Sequence, residues 1–138
     1  MMKVALISCV GKKKDQRCKA KDLYDSTWFR LALGYAQSLN PDRIFILSAK
    51  YGLVDQNSKI EPYEETLNTR SDRERKIWAE KVLRELRKKT TVDQDTFIIL
   101  AGEKYRRHLV PLLPNSKVPM DGLRIGEQQQ WLKNHTAK

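Results

Sequence analysis

Three apolar runs of strand length most constrain what this 138-residue chain can fold into. Val4 to Cys9 reads Val-Ala-Leu-Ile-Ser-Cys, Arg43 to Ser48 contains Ile44-Phe45-Ile46-Leu47, and Thr96 to Ala101 reads Thr-Phe-Ile-Ile-Leu-Ala. None alternates apolar with polar. A strand that is apolar on both faces is covered on both faces, which is the habit of parallel sheets. Helical periods fall between the runs. Ser26 to Leu39 places Phe29, Ala32, Leu33 and Ala36 on one stripe, with Ser26 or Thr27 as cap and Asn40-Pro41 as stop. Ser71-Asp72-Arg73-Glu74 is a capping box that opens a helix to about Lys89, with Ile77, Trp78, Val82, Leu83 and Leu86 at helical spacing.

A short helix is expected from Glu103 to about Val110, an edge strand at Lys117-Val118-Pro119, and a last helix from about Gly126 to Asn134 that buries Trp131 and Leu132. Residues 49–70 read as a long connection that packs through Tyr51, Leu53, Ile60, Tyr63 and Leu67. Strands alternating with helices predict one α/β domain over residues 1–138. Its expected form is three-layered and Rossmann/flavodoxin-like: a small, mainly parallel sheet of three or four strands flanked by helices.

Charge narrows the partner. The chain has 27 Lys+Arg against 17 Asp+Glu, a net of +10. That excludes an acidic solvating protein and favours an anion: nucleic acid, a nucleotide or a phosphorylated metabolite. Half of the excess is local. Lys12, Lys13, Lys14, Arg17, Lys19 and Lys21 face only Asp15 between residues 11 and 21, a local +5. The Ser71–Lys89 helix carries a further +4, read as a solvated face or as a track for a longer nucleic acid. No apolar run is long enough to span a membrane. The N-terminus lacks the features of a signal peptide, and two cysteines cannot make a disulfide framework, so a cytoplasmic location is expected. Cys9, Cys18, His108 and His135 show no metal-ligand spacing, and no cofactor motif is present.

In open α/β sheets, ligands bind outside the carboxyl ends of the strands. The first run ends in Ser8-Cys9-Val10-Gly11-Lys12-Lys13-Lys14, the second in Ser48-Ala49-Lys50-Tyr51-Gly52-Leu53, and the third in Ala101-Gly102-Glu103-Lys104-Tyr105-Arg106. In a parallel sheet all three meet on one rim. Gly11 permits a close turn and Lys12, Lys13 and Lys14 supply charge, although the segment is not a P-loop. Gly102 allows close backbone approach before a helix start, and Arg106 can hold a phosphate bidentately. Ser8, Ser48, Lys50, Gly52 and Tyr105 complete the rim.

Tyr51 and Tyr63 can stack on a base, and Glu61, fixed beside Pro62, can accept from a sugar or an exocyclic amine. Cys9 beside lysines is a nucleophile or a pocket wall. The catalytic candidates are therefore Glu61, Tyr63 and Cys9. Gln128 or Gln130 would face the same site, from the helix that holds Trp131.

These segments, together with Asp22-Leu23-Tyr24, Phe29-Arg30, Thr66-Leu67, Gly122-Leu123 and Ile125-Gly126 to Trp131-Leu132, resemble a bacterial and archaeal domain-of-unknown-function family related to the peroxide-stress protein YaaA. The resemblance covers nearly the whole chain. To YaaA itself it covers the Ser-x-x-Tyr-Gly-Leu and Ile-x-Pro-Tyr portions. It implies an α/β domain with a nucleic-acid connection, in DNA binding and oxidative-damage protection or beside deazapurine-modifying proteins. The helix-hairpin-helix-like element of YaaA has no counterpart here, which turns the expectation toward a pocket. The expected function is a nucleic-acid-associated protein with a nucleotide- or base-sized pocket, in which Glu61 would act if an N-glycosidic bond is attacked. The alternatives are a non-enzymatic basic DNA- or RNA-binding protein and an interaction module of a base-modification complex.

Overall fold

Each apolar run forms a strand in the computed structural model, which describes residues 1–9 and 11–136. The elements in chain order are β1 (Lys3–Ser8), β2 (Cys18–Lys19), α1 (Ala20–Leu23), α2 (Thr27–Ser38), β3 (Arg43–Ser48), β4 (Gly52–Asp55) and β5 (Lys59–Ile60). They continue with α3 (Asp72–Lys89), β6 (Thr96–Leu100), α4 (Glu103–Arg106), β7 (Ser116–Lys117) and α5 (Ile125–His135). The main sheet has five strands in the order β4-β3-β1-β6-β7. β3, β1, β6 and β7 are parallel, and β4 runs antiparallel to β3. The protein is thus an α/β domain with a mixed, mostly parallel sheet.

The absence of alternation in the runs has its expected cause. Every residue of β1 and β3 after the first is buried. In register, Leu6 lies between Phe45 and Ile99. Leu6, Phe45 and Phe97 are fully enclosed, and each such side chain contributes about 1.5–3 kcal/mol by burial. The chain leaves β1 for β3 on one side through α2, then returns through α3 to β6 on the other side. The direction of winding therefore reverses at β1.

The helices hold by their predicted caps. Ser26 Oγ accepts from Phe29 N at 3.2 Å, and Ser71 and Glu74 close a reciprocal capping box. α2 packs on α5: Trp28 Nε1 donates to Gln128 Oε1 at 2.8 Å, and Tyr35 meets Trp131 edge-on at 5.0 Å. α3 packs on β4 and α4, and Trp78 Nε1 donates to Ser48 O at 2.9 Å.

Two expectations are corrected. The sheet gains a strand because residues 49–70 are not an unstructured connection. Ser48 Oγ accepts from Tyr51 N at 3.0 Å, and Gly52 takes φ +76°, so the chain doubles back at once into β4. A Cβ on Gly52 would lie 2.5 Å from Glu85 Oε1, which accepts from Leu53 N. β5 then pairs antiparallel with β2 through Cys18 and Ile60, fastening this segment to the basic loop. The helix after β6 is also shorter than expected. It ends at Arg106, and Val110–Leu112 forms a 3₁₀ turn around Pro111, which has no N–H to continue an α-helix.

Candidate functional site

At the carboxyl ends of β1 and β6, beside the reversal, lies a cavity of about 500 Å³. Three segments supply most of its lining, with Gly11 and Lys13 of the basic loop and Ile125 of α5 at its margin. Ser8 and Cys9 come from the end of β1, Gly102 to Tyr105 follow β6, and Glu64 to Thr66 belong to the strap between β5 and α3. A second concavity of about 590 Å³ presents Lys12, Lys13, Lys14 and Tyr63. Gly11, Lys13 and Glu64 line both, so the two spaces adjoin.

The basic loop is held by its backbone. Lys13 bridges Tyr24, Lys14 N donates to Leu23 O at 2.8 Å, and Asp25 N donates to Lys12 O at 2.6 Å. Gly11 has φ +79°, and a Cβ there would come within 2.8 Å of the Ser26 Cβ that caps α2. Only glycine fits this turn without displacing the cap. Lys13 Nζ stands 4.5 Å from the Tyr63 ring centroid, a cation–π contact.

The strap is clamped at both ends by phenols. Tyr63 Oη lies 2.6 Å from Tyr24 Oη, and Tyr105 Oη accepts from Leu67 N at 3.3 Å. Tyr105 Oη also accepts from Cys9 Sγ at 3.3 Å. Arg75 Nε adds a bond to Leu67 O at 2.9 Å. Burial pushes the Tyr24, Tyr63 and Tyr105 phenols well above their ordinary value, and the nearby Cys9 acts in the same direction. At neutral pH these phenols are uncharged hydrogen-bonding groups that orient the strap.

The candidate residues divide by place. Ser8, Cys9, Gly11, Lys13, Gly102 and Tyr105 come together on the first cavity. Lys12, Lys14 and Tyr63 stand on the second. Ser48 is fully buried, with its hydroxyl on Tyr51 N and its carbonyl on Trp78. Tyr51 donates to Glu61 O at 3.4 Å and meets the Tyr63 ring edge-on at 5.5 Å, while Lys50 lies over the Tyr51 ring. Gly52 serves the turn into β4.

Glu61 lines neither cavity. It is exposed, 3.9 Å from Arg17. Arg106 is bound to Ala101 O at 3.0 Å and to Asp121 Oδ1 at 2.9 Å, which ties the turn after β6 to the chain before α5. Gln128 bonds Trp28 and Leu123 O, and Gln130 bonds Asn134.

Sequence reasoning missed Glu64 and Glu65, and it quoted Thr66, Glu103 and Lys104 within their segments without giving them a role; all five line the first cavity. The available signal was weak: two carboxylates directly after the Pro62-Tyr63 anchor. Ser8 Oγ and Glu65 Oε2 are buried without a hydrogen-bond partner among the described residues. The arrangement places more carboxylates than lysines on the first compartment and more lysines than carboxylates on the second, suiting a ligand with an uncharged donor-bearing part and an anionic part. Among the described residues, no group of His, Cys, Asp and Glu could hold a metal ion, and no helix is long and apolar enough to cross a membrane. No curated protein and no solved structure matches the chain, so no link to YaaA is shown. A family model described as "Family of unknown function (DUF6884)" matches residues 4–134, and the chain belongs to that family.

Proposed function

We propose that this protein binds a nucleotide, free or as part of a nucleic acid, across the two adjoining spaces at the carboxyl rim of its sheet. One observation carries the reading: three consecutive lysines line one compartment, and that compartment shares Gly11, Lys13 and Glu64 with a cavity of about 500 Å³. The lysines suit a phosphate, and the cavity suits a base or sugar. The winding reversal at β1 supports the choice of rim, because Rossmann- and flavodoxin-like sheets open their ligand crevice at such a point. The setting we propose is nucleic-acid modification or protection of DNA from oxidative damage, as implied by the sequence resemblance to a YaaA-related family. Titration calorimetry with purine nucleoside mono- and diphosphates tests the reading. Saturable binding that weakens roughly tenfold or more in Lys13→Gln is expected. If no nucleotide binds at millimolar concentration, the reading fails.

A second reading, a basic nucleic-acid binder, is favoured by α3. Arg73, Lys76, Lys81, Arg84, Arg87 and Lys88 are exposed there, and none is in an ion pair among the described residues. Binding of this kind weakens steeply with added salt, and a flat salt profile would dismiss it.

A further inference from the structure

Ser8 and Glu65, the two residues with a buried side-chain polar atom that lacks a hydrogen-bond partner among the described residues, both line the cavity at the ends of β1 and β6. Ser8 is fully enclosed, and its Oγ is unpaired. Glu65 is half-buried, and its Oε2 is shielded and equally unpaired. The two residues come from unrelated parts of the chain. Ser8 ends β1, while Glu65 sits in the strap clamped at Tyr63 and Leu67. Folded proteins pair nearly all their buried polar atoms, because an orphan forfeits its hydration without return. Two orphans converging on one cavity point to a ligand that satisfies them.

Charge decides which part of the ligand enters. Glu64, Glu65 and Glu103 outnumber Lys13 and Lys104 along this cavity, whereas Lys12, Lys13 and Lys14 outnumber Asp15 and Glu64 along the adjoining space, so a phosphate is favoured in the second. We infer that Glu65 Oε2 and Ser8 Oγ recognise an N–H or O–H donor on the base or sugar of the nucleotide, and so determine its specificity. The inference rests on the nucleotide reading above and adds the orientation: phosphate on the lysines, donor edge on Glu65. Oε2 accepts the donor hydrogen, and Ser8 Oγ serves as the adjacent partner, donating or accepting as the ligand requires.

The test compares GMP, AMP, IMP and dGMP by calorimetry on the full chain, on Glu65→Met and Ser8→Ala, and on Glu80→Gln as a control on the exposed face of α3. IMP differs from GMP only in lacking the 2-amino group, AMP carries a 6-amino group but lacks the N1–H of GMP and IMP, and dGMP lacks the 2′-hydroxyl, so the comparisons separate the base donors from a sugar donor. The expected result is a preference of about tenfold or more for the donor-bearing member of one pair. That preference disappears in Glu65→Met, weakens in Ser8→Ala and survives in Glu80→Gln. Unfolding midpoints supply a readout without ligand. Both cavity variants should be at least as stable as the parent, because the atoms removed have no partner in the fold. Binding without a donor preference, or with one that persists in Glu65→Met, overturns this inference alone, as it would if water alone occupied the site. A clear fall in both midpoints overturns it too, assigning the pair to the fold. Absence of binding by all four nucleotides overturns the nucleotide reading and this inference together.

Discussion

Tyr105 Oη accepts the backbone N–H of Leu67 at 3.3 Å, so a residue from the helix after β6 holds the end of the acidic strap. The same oxygen receives the Cys9 thiol at 3.3 Å. One buried phenol thus joins three of the segments that line the cavity: the end of β1, the turn after β6 and the strap.

Removing that oxygen should loosen the site before it unfolds the protein. Tyr105→Phe leaves the Leu67 N–H buried and unpaired, a cost of about 1–3 kcal/mol. Urea unfolding measures the loss. Hydrogen exchange at Leu67 should speed up, and an unchanged Leu67 exchange rate would show that the clamp is not formed in solution.

Gly11→Ala should be among the more damaging single-methyl changes in the chain. The residue sits at φ +79°, and its new Cβ would be 2.8 Å from Ser26 Cβ. The strain and the disturbed α2 cap together cost about 1–3 kcal/mol. A melting temperature equal to the parent's would refute this account of the turn.

Acid should destabilise the fold through three named carboxylates. Backbone N–H bonds from Met2 and Thr91 hold Asp95 below the ordinary aspartate range. The bond to His108 lowers Asp72, and the Ser71 cap lowers Glu74. A group whose folded value lies below its unfolded value stabilises fully above the unfolded value, about pH 4, and loses that contribution as the pH falls through the folded value. Urea midpoints should therefore decline from about pH 5 toward about pH 2. Asp95→Asn should lower the midpoint at neutral pH and flatten the decline. A parallel curve would remove Asp95 from the explanation.

The C-terminal helix should depend on one side chain. Gln128 accepts from Trp28 Nε1 and donates to Leu123 O, each at 2.8 Å, linking α5 to α2. Gln128→Leu should lower amide protection across α5 while leaving the amides of β1 protected, as expected for a local opening. Loss of protection in both at once would mean that α5 and the sheet open as one unit.

Much of the architecture is legible in the chain itself. Unalternated apolar runs mark β1, β3 and β6, because burial on both faces leaves no reason for polar positions. Ser26 and Ser71 announce their helices through local hydrogen bonds that reach only three residues ahead. β4 was hidden because its turn depends on Gly52 fitting against Glu85, a residue 33 positions further along the chain.

The place of the cavity was legible in part: Ser8-Cys9 and Gly102, at the ends of two apolar runs, line it, whereas Ser48, Lys50, Tyr51 and Gly52, expected there from the end of the run that forms β3, line neither space. Which side chains share the cavity was decided only in three dimensions. Glu61, Glu64 and Glu65 are nearly adjacent and chemically alike, and nothing local ranks them. The long-range clamps at Tyr24–Tyr63 and Leu67–Tyr105 bring Glu64 and Glu65 to the cavity and leave Glu61 in solvent beside Arg17. Arg106 looks free in the sequence, but Asp121 and the Ala101 carbonyl engage it in the fold. Composition and spacing set where strands and caps form, because those depend on neighbours along the chain. The lining of the cavity depends on contacts between residues tens of positions apart, and only the folded chain brings them together.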